Sequence, residues 1–115
     1  MTNRQLQEPT RLVLTALADA PRHGYAIIQE VLAISDGHSR LSTGTLYTAL
    51  DRLLQQGLVR IESEQVVSGR LRRTFALTDQ GQDVLAQEAK RLRGAAAEAE
   101  RRLKASRLRP NGATA

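Results

Sequence analysis

The C-terminal third of the chain carries a regularly spaced row of apolar residues. These positions are separated by 4, 3, 4, 3 and 4 residues: Leu85, Ala89, Leu92, Ala96, Ala99 and Leu103. Such spacing is a heptad seam, with which one helix packs along another. A helix over 79–105 would span about 40 Å at about 1.5 Å per residue, more than the rest of a small domain can cover. It could lie across its own domain and bury only its first half. We instead predict a dimerisation helix whose outer part is covered by a second copy of the chain.

The composition describes a small, basic, cysteine-free domain. At 115 residues the chain is long enough for one domain with a modest core. With two Tyr, one Phe and no Trp, that core must consist of Leu, Ile, Val and Ala. The formal net charge of +5, from 17 Lys and Arg against 12 Asp and Glu, favours a polyanionic partner. Charge alone does not separate DNA from RNA or anionic lipid.

The same composition argues against an enzyme or a metalloprotein. The absence of cysteine excludes disulfides, thiolate metal sites and cysteine nucleophiles. His23 and His38 are the only histidines and have only scattered acids around them, so neither a metal site nor a catalytic arrangement is indicated. Gly44 is isolated, so no phosphate-binding loop and no cofactor are expected. Short apolar runs and a polar start predict neither a membrane helix nor a signal peptide, and hence a soluble, cytoplasmic protein.

Two short helices are predicted in the first part of the chain. Residues 1–8 are polar, and we expect them to be flexible. Pro9 suits the first turn of a helix. That helix should run over 10–20 and end before Pro21, because the residue preceding a proline avoids helical angles. A second helix should follow over 23–35 and lead into a turn.

A third predicted helix, over residues 41–57, has one apolar and one polar face. Four leucines form the apolar stripe: Leu46, Leu50, Leu53 and Leu54. Ser42 or Thr43 can cap its start, and Gly57 can take the left-handed conformation that ends it. The opposite face has one acid, Asp51, among hydrogen-bonding side chains: Thr45, Tyr47, Thr48, Arg52 and Gln55. This face suits a DNA major groove, although an ordinary solvated surface is the alternative.

A β-hairpin with a basic tip is predicted next. Residues 58–64 alternate imperfectly, residues 65–69 form the expected loop, and residues 70–77 form the second strand. Three arginines follow the loop: Arg70, Arg72 and Arg73. A tip of this kind could contact backbone phosphates or the minor groove. The alternative is that these arginines only keep the hairpin soluble and discourage edge pairing.

The order of these elements predicts a mainly α fold with a small β-hairpin, a winged helix-turn-helix with a long C-terminal dimerisation helix. We expect residues 9–78 to form the DNA-binding domain and residues 79–105 the dimerisation helix, capped by Thr78. Residues 106–115 should form a basic, disordered tail. Its cations either suit the negative end of the helix or add nonspecific attraction to DNA.

Three separated motifs resemble the PadR-like transcriptional regulators. Residues 41–50, Leu-Ser-Thr-Gly-Thr-Leu-Tyr-Thr-Ala-Leu, are similar to that family's Leu-Ser-Pro-Gly-Thr-Leu-Tyr-Pro-Ala-Leu. Residues 21–25, Pro-Arg-His-Gly-Tyr, resemble its Pro-x-His-Gly-Tyr at the start of the second helix. Residues 56–59 and 77–81 resemble the helix ends around its wing. The resemblance covers about residues 10–105.

The resemblance implies a bacterial repressor that binds inverted-repeat operators on double-stranded DNA as a homodimer and leaves them when a small-molecule effector binds. It implies groove contacts from one set of residues and wing contacts from another: Ser42, Thr43, Thr45, Tyr47 and Thr48, and Arg70, Arg72 and Arg73. Thr43 and Thr48 stand where the family usually has proline, so an operator sequence is not carried over. Some short members bind flat aromatic drugs through a tryptophan, which this chain lacks.

A protein-interaction adaptor with the same winged-helix fold remains the alternative function. Such a protein would use the C-terminal helix to bind another regulator without reading a DNA sequence. A DNA-binding protein should lose affinity steeply as salt is added, because bound phosphates release counterions. Negligible binding to any duplex would indicate the adaptor.

Overall fold

The computed structural model describes residues 5–108, which form four helices and one small sheet. The elements follow in this order: α1 (Glu8–Ala16), β1 (Arg22–His23), α2 (Gly24–Ile34), α3 (Thr43–Gln55), β2 (Val59–Val67), β3 (Arg70–Leu77) and α4 (Asp79–Arg107). The sheet is antiparallel with the strand order β1-β3-β2. This is the predicted order of elements, with one additional short strand.

One aliphatic core joins the first three helices to the sheet. The largest fully buried side chains come from all of them: Leu14, Val13, Ile27, Val31, Leu46, Leu50, Leu53 and Phe75. The predicted apolar stripe of α3 is therefore confirmed for three of its leucines, whereas Leu54 is only partly buried. Phe75 is the single aromatic residue of this core. The core is lean, as the composition predicted.

The first helix ends earlier than predicted. Its last residue is Ala16 rather than Ala20. The Arg22 Nε donates a hydrogen bond of 2.8 Å to the Ala16 carbonyl, which satisfies one acceptor at the helix end. Arg22 also pairs with Phe75 in the sheet. The chain therefore has to leave the helical path before Pro21 in order to reach β3.

The hairpin of β2 and β3, which is the wing of the predicted fold, has a longer first strand and a shorter turn than the sequence suggested. Residues 65–69 were predicted to be a loop, which is wrong, because β2 continues to Val67 and β3 begins at Arg70. Only Ser68 and Gly69 form the turn, with φ of 51° and 78°. Two left-handed residues in a two-residue turn match the twist of the flanking strands. A register shift between Ile61 and Ser63 marks a bulge in β2.

A single hydroxyl connects the end of α3 to the start of α4. The Thr78 Oγ1 accepts a hydrogen bond of 3.0 Å from the Gly81 N–H, which confirms Thr78 as the helix cap. The same hydroxyl donates a bond of 2.6 Å to the Gly57 carbonyl. Gly57 has a φ of 73° and ends the preceding helix, as predicted. The end of α3, the end of β3 and the start of α4 are thus linked at one point.

The long helix α4 extends beyond the globular part of the protomer. It has 29 residues, and the protomer measures 70 × 33 × 21 Å. Near its start, Val84 and Leu85 pack partly against the core. The helix continues to Arg107, two residues further than predicted. The remainder of the predicted tail, residues 109–115, lies outside the described residues.

An ion pair with a buried carboxylate lies on α4, between Glu88 and the partly exposed Arg91. Glu88 is only 4% exposed. Arg91 donates two hydrogen bonds to it, Nε to Oε1 at 2.9 Å and Nη2 to Oε2 at 2.6 Å. These bonds hold the pKa of Glu88 below its ordinary value, although burial acts in the opposite direction. Leu6, in the segment expected to be flexible, packs against the core, and residues 1–4 lie outside the described part of the chain.

Candidate nucleic-acid interface

The outer face of α3 is an exposed polar surface. Because the leucines at 46, 50 and 53 point into the core, the positions between them face outward. The exposed polar residues of this face, including the cap, are Ser42, Thr43, Thr45, Thr48, Asp51, Arg52 and Gln55. Four of the five groove contacts that the resemblance implied belong to this set, together with Arg52. Hydroxyls, an amide and one guanidinium can bond to both base edges and phosphates.

The hydroxyls on this face differ in the hydrogen bonds that they make within the protein. The Ser42 Oγ accepts a hydrogen bond of 3.1 Å from the Thr45 N–H and donates one of 2.9 Å to the Thr45 Oγ1. Ser42 is therefore occupied mainly as the helix cap. Thr43 and Thr48 are exposed, and among residues 5–108 their hydroxyls make no hydrogen bond within the protein. These two hydroxyls are better placed than Ser42 to bond to a ligand.

Tyr47, the fifth of these predicted groove contacts, has a different environment. Its ring lies edge-on to Phe75, with ring centroids 6.3 Å apart and an interplanar angle of 67°. Its hydroxyl lies over Gly24, where an added Cβ would be only 2.4 Å from the Tyr47 oxygen. The side chain remains 39% exposed. Tyr47 therefore packs against two neighbouring elements, which its position on the polar side of α3 did not predict.

The three predicted wing arginines are not equivalent. Successive residues of a strand point to opposite faces, so Arg70 and Arg72 lie on one face of β3 and Arg73 on the other. The Arg73 Nε is 2.9 Å from a Glu64 carboxylate oxygen, and both side chains are about half exposed. Within residues 5–108, neither Arg70 nor Arg72 has an acidic partner. The positive charge available to a ligand at the wing is therefore concentrated on Arg70 and Arg72.

A groove connects the wing to the two helices beside it. Its volume is about 310 Å³, and residues of β1, α2, α3, β2 and β3 line it: His23, Gly24, Tyr25, Tyr47, Val67, Arg70, Leu71, Arg72 and Arg73. All three wing arginines and Tyr47 thus border one surface. Tyr25 is 66% exposed and was not predicted as a site residue. Its place in the Pro-Arg-His-Gly-Tyr motif was the one available sequence signal.

A second groove lies along the other flank of α3. It measures about 410 Å³ and is lined from both α1 and α3: Gln7, Pro9, Thr10, Gly44, Thr45, Thr48, Ala49 and Arg52. Arg52, the remaining predicted DNA-binding residue, is therefore on this side of the helix. The polar face of α3 stands between the two grooves. Thus α3 borders one groove that it shares with α1 and another that it shares with the wing.

The predicted seam of α4 divides into two parts in the single protomer. Leu85 and Ala89 are half-buried, because this part of the helix still lies on its own domain. The outer four seam residues are exposed: Leu92, Ala96, Ala99 and Leu103. The two leucines among them are 39% and 58% exposed, respectively. An apolar row on the projecting half of a helix is an unfavourable surface to leave in water.

Neither a metal site nor a membrane-spanning helix occurs in the part of the chain that the structure describes. No three His, Cys, Asp or Glu side chains there are close enough together to hold a metal ion. No helix within residues 5–108 has the length and apolar character needed to cross a bilayer.

Comparison with known families identifies the chain. The sequence profile of the transcriptional regulator PadR-like family matches residues 13–87. The chain belongs to the PadR-like family. This match spans α1 to the first part of α4, and so includes the polar face of α3 and the wing. PadR-like proteins are transcriptional regulators and not enzymes, as the composition predicted.

Two known sequences are similar to this chain. The transcriptional regulator Rv3488 of Mycobacterium tuberculosis is 36% identical over 80 residues, which cover 70% of this chain and 71% of the relative. A 37.1 kDa protein in transposon TN4556 of Streptomyces fradiae is 50% identical over 78 residues, 68% of this chain. This PadR-like chain spans only 21% of the length of that second relative.

Solved structures share the fold and confirm the predicted winged helix-turn-helix architecture. A PadR family transcription regulator from Clostridium difficile has a TM-score of 0.67 at 24% identity, covering 82% of this chain and 96% of its own. PadR from Bacillus subtilis, solved in complex with operator DNA, has a TM-score of 0.63 at 17% identity. That likeness covers 70% of this chain and 46% of the Bacillus protein.

Proposed function

We propose that this PadR-like regulator binds a specific double-stranded DNA sequence through α3 and the wing. The observation that carries the proposal is that α3 exposes Thr43, Thr48 and Arg52 and also borders, through Tyr47, the groove that Arg70 and Arg72 of the wing line. A helix of this kind fits a major groove, and cations on a neighbouring hairpin fit the flanking phosphates. The Bacillus relative, which has the same fold, was solved with operator DNA.

We propose further that the protein acts as a homodimer on an inverted repeat. The exposed outer seam of α4 supports this proposal, since a two-fold partner would cover the same residues on both chains. Small side chains at Ala96 and Ala99 would allow the two helices to approach closely. A two-fold dimer presents two copies of α3, and paired copies require a DNA site with the same symmetry.

The proposed regulatory role is repression, with release by a small-molecule effector. The resemblance to PadR-like regulators supports both parts. A dimer bound across an operator excludes other proteins from the same DNA. A ligand that binds the DNA-free form more tightly would lower operator occupancy in proportion to that preference.

Salt titration of DNA binding tests the central proposal. A site should first be selected from a random duplex pool, and its affinity measured by fluorescence anisotropy at several salt concentrations. With Arg70 and Arg72 from both subunits on phosphates, the logarithm of affinity should fall against the logarithm of salt with a slope of about −4. An unrelated duplex should bind far more weakly at every salt concentration. Failure to enrich any sequence, with a flat salt response, would contradict the proposal.

A protein-interaction adaptor is the second candidate, because the exposed seam of α4 would also fit a helix of another protein. The two functions differ in solution behaviour. Sedimentation of the pure protein as a dimer that binds the selected duplex would reject the adaptor. A monomer that binds no duplex would support it.

A further inference from the structure

Tyr47 connects the three elements that form the proposed DNA-binding surface. It belongs to α3, its hydroxyl lies over the first residue of α2, and its ring meets Phe75 of β3. We infer that Tyr47 is a positioning residue that holds the wing at a fixed distance and angle from the recognition helix. It does so through its ring and does not read a base through its hydroxyl. This inference rests on the proposed DNA-binding function.

The contact with Gly24 shows where the tyrosine points. A Cβ added at Gly24 would be 2.4 Å from the Tyr47 Oη, 3.0 Å from Cζ and 3.3 Å from Cε2. The far end of the ring therefore occupies the space that any larger residue at 24 would need. Gly24 is buried, at the start of α2. The hydroxyl is directed along the protein surface towards α2, which is not the direction of an outward-reading side chain.

The contact with Phe75 extends this link to the wing. Phe75 is 2% exposed and is fixed in the sheet between Arg22 of β1 and Ile61 of β2. It lies three residues from Arg72 along the same strand, at a strand rise of about 3.3 Å per residue. Edge-to-face aromatic pairs have a preferred geometry, so each of the two rings restricts the position and orientation of the other. A strand that is fixed at Phe75 carries Arg70 and Arg72 at a defined offset from α3.

The inference predicts that substitutions can separate the contribution of the Tyr47 ring to DNA binding from that of its hydroxyl. Tyr47→Phe keeps the ring and should bind the selected duplex within about twofold of the parent protein, with unchanged sequence preference. Gly24→Ala should displace the ring and weaken binding by about tenfold. Combining the two substitutions removes the nearest atom, so part of the lost affinity should return. Gly94→Ala, which meets nothing within 4 Å, is the matched control.

Coupling to the wing distinguishes positioning from direct contact. If Tyr47 positions the wing, Arg72→Ala should cost less affinity in the Gly24→Ala background than in the parent protein, because the displaced wing already contacts DNA poorly. Additive effects would contradict the inference. So would a Tyr47→Phe variant that loses sequence preference as fully as Tyr47→Ala, since the hydroxyl would then be the reading group.

A measurement without DNA separates this inference from the proposed function. The chain has no cysteine, so Gln55→Cys on α3 and Gln65→Cys on β2 allow two spin labels on exposed positions. Labelled protein is diluted with unlabelled protein so that only distances within one protomer are measured. The distance distribution should be narrow in the parent and in Tyr47→Phe, and broader or shifted in Gly24→Ala and Tyr47→Ala. Identical distributions in all four would overturn the inference, whatever the DNA affinity.

Discussion

At the residue scale, Gly81 and Gly94 belong to the same helix, but only Gly81 lies against another part of the chain. A Cβ at Gly81 would be 2.0 Å from the Leu58 carbonyl oxygen, which is backbone and cannot turn aside. A Cβ at Gly94 would meet nothing within 4 Å. Gly81 therefore permits the close approach of α4 to the backbone at Leu58, just before β2, whereas Gly94 only lowers helix propensity.

Alanine at these two positions should change stability in opposite directions. Gly81→Ala should lower the free energy of unfolding by about 1–3 kcal/mol, as overpacking against rigid neighbours does. Gly94→Ala should raise it by about 0.5–1 kcal/mol, because alanine favours an exposed helix interior. Urea unfolding at one fixed protein concentration measures both. Equal effects of the two substitutions would show that the approach at Gly81 does not matter.

The Glu88–Arg91 pair predicts an acid-sensitive contribution to stability. Arg91 holds the pKa of the folded Glu88 below its ordinary value of 4.5. The pair therefore stabilises the fold above about pH 4.5, and this contribution is lost as pH falls towards the lowered pKa. Glu88→Gln should destabilise the protein by about 1–3 kcal/mol at pH 7. The difference from the parent should shrink as the pH falls below 4.5, and a difference that stays constant down to the pH of acid unfolding would contradict this account.

At the element scale, α3 and the wing were predicted with different success. The capping serine, the leucine period and Gly57 each indicate a boundary or face of α3, and the helix matches the prediction within two residues. The turn Ser68-Gly69 was missed because a left-handed serine is uncommon and alternation through Val66 and Val67 is weak. The strand β1 has two residues, too few for any period, and its pairing with β3 depends on the tertiary fold.

The sequence predicted which α3 residues are exposed, but not which other residues they contact. Helical periodicity assigned the outward residues of α3 correctly, since one face is defined by the buried leucines. It could not show that Tyr47 bends back onto Gly24, because that contact joins residues that are far apart in sequence. Nor could it show that Glu64 pairs with Arg73, which depends on the strand register set by the bulge.

The wing arginines should differ in their effect on salt dependence. Arg72 lacks an acidic partner among the described residues, whereas Glu64 already neutralises Arg73 in part. Arg72→Ala should weaken binding to all duplexes alike and reduce the magnitude of the salt slope by about 1 per subunit. Arg73→Ala should change the slope less. Anisotropy titrations on the selected and an unrelated duplex measure both, and a larger change for Arg73 would reverse the assignment.

At the scale of the whole molecule, the projecting half of α4 determines the proposed assembly. A protomer of 70 × 33 × 21 Å is far from a compact shape for its length, because the outer seam extends past the core. Association of two such helices would bury the exposed leucines and position two recognition helices together. On B-DNA, paired helices of this kind meet half-sites separated by about one helical turn, or about 34 Å.

A charge placed on the seam should separate the subunits. Leu92→Glu would put a carboxylate at an apolar position in each chain, opposite its own copy, so sedimentation should show monomers and affinity for the selected duplex should fall. Ala97→Glu, an exposed position that lies off the seam, is the control and should stay dimeric. A dimeric Leu92→Glu variant would show that the chains associate through another surface.

The joint at Thr78 has a consequence for how such regulators could change their target spacing. A hydroxyl that bonds to both Gly57 and Gly81 sets the tilt of the long helix relative to α3. A tilt of about 5° there would move the far end of a 29-residue helix, about 43 Å long, by about 4 Å. That displacement is close to the rise of one base pair, about 3.4 Å. A substitution such as Thr78→Val should therefore alter the preferred spacer between two half-sites while leaving the side chains of the proposed DNA-binding surface in place.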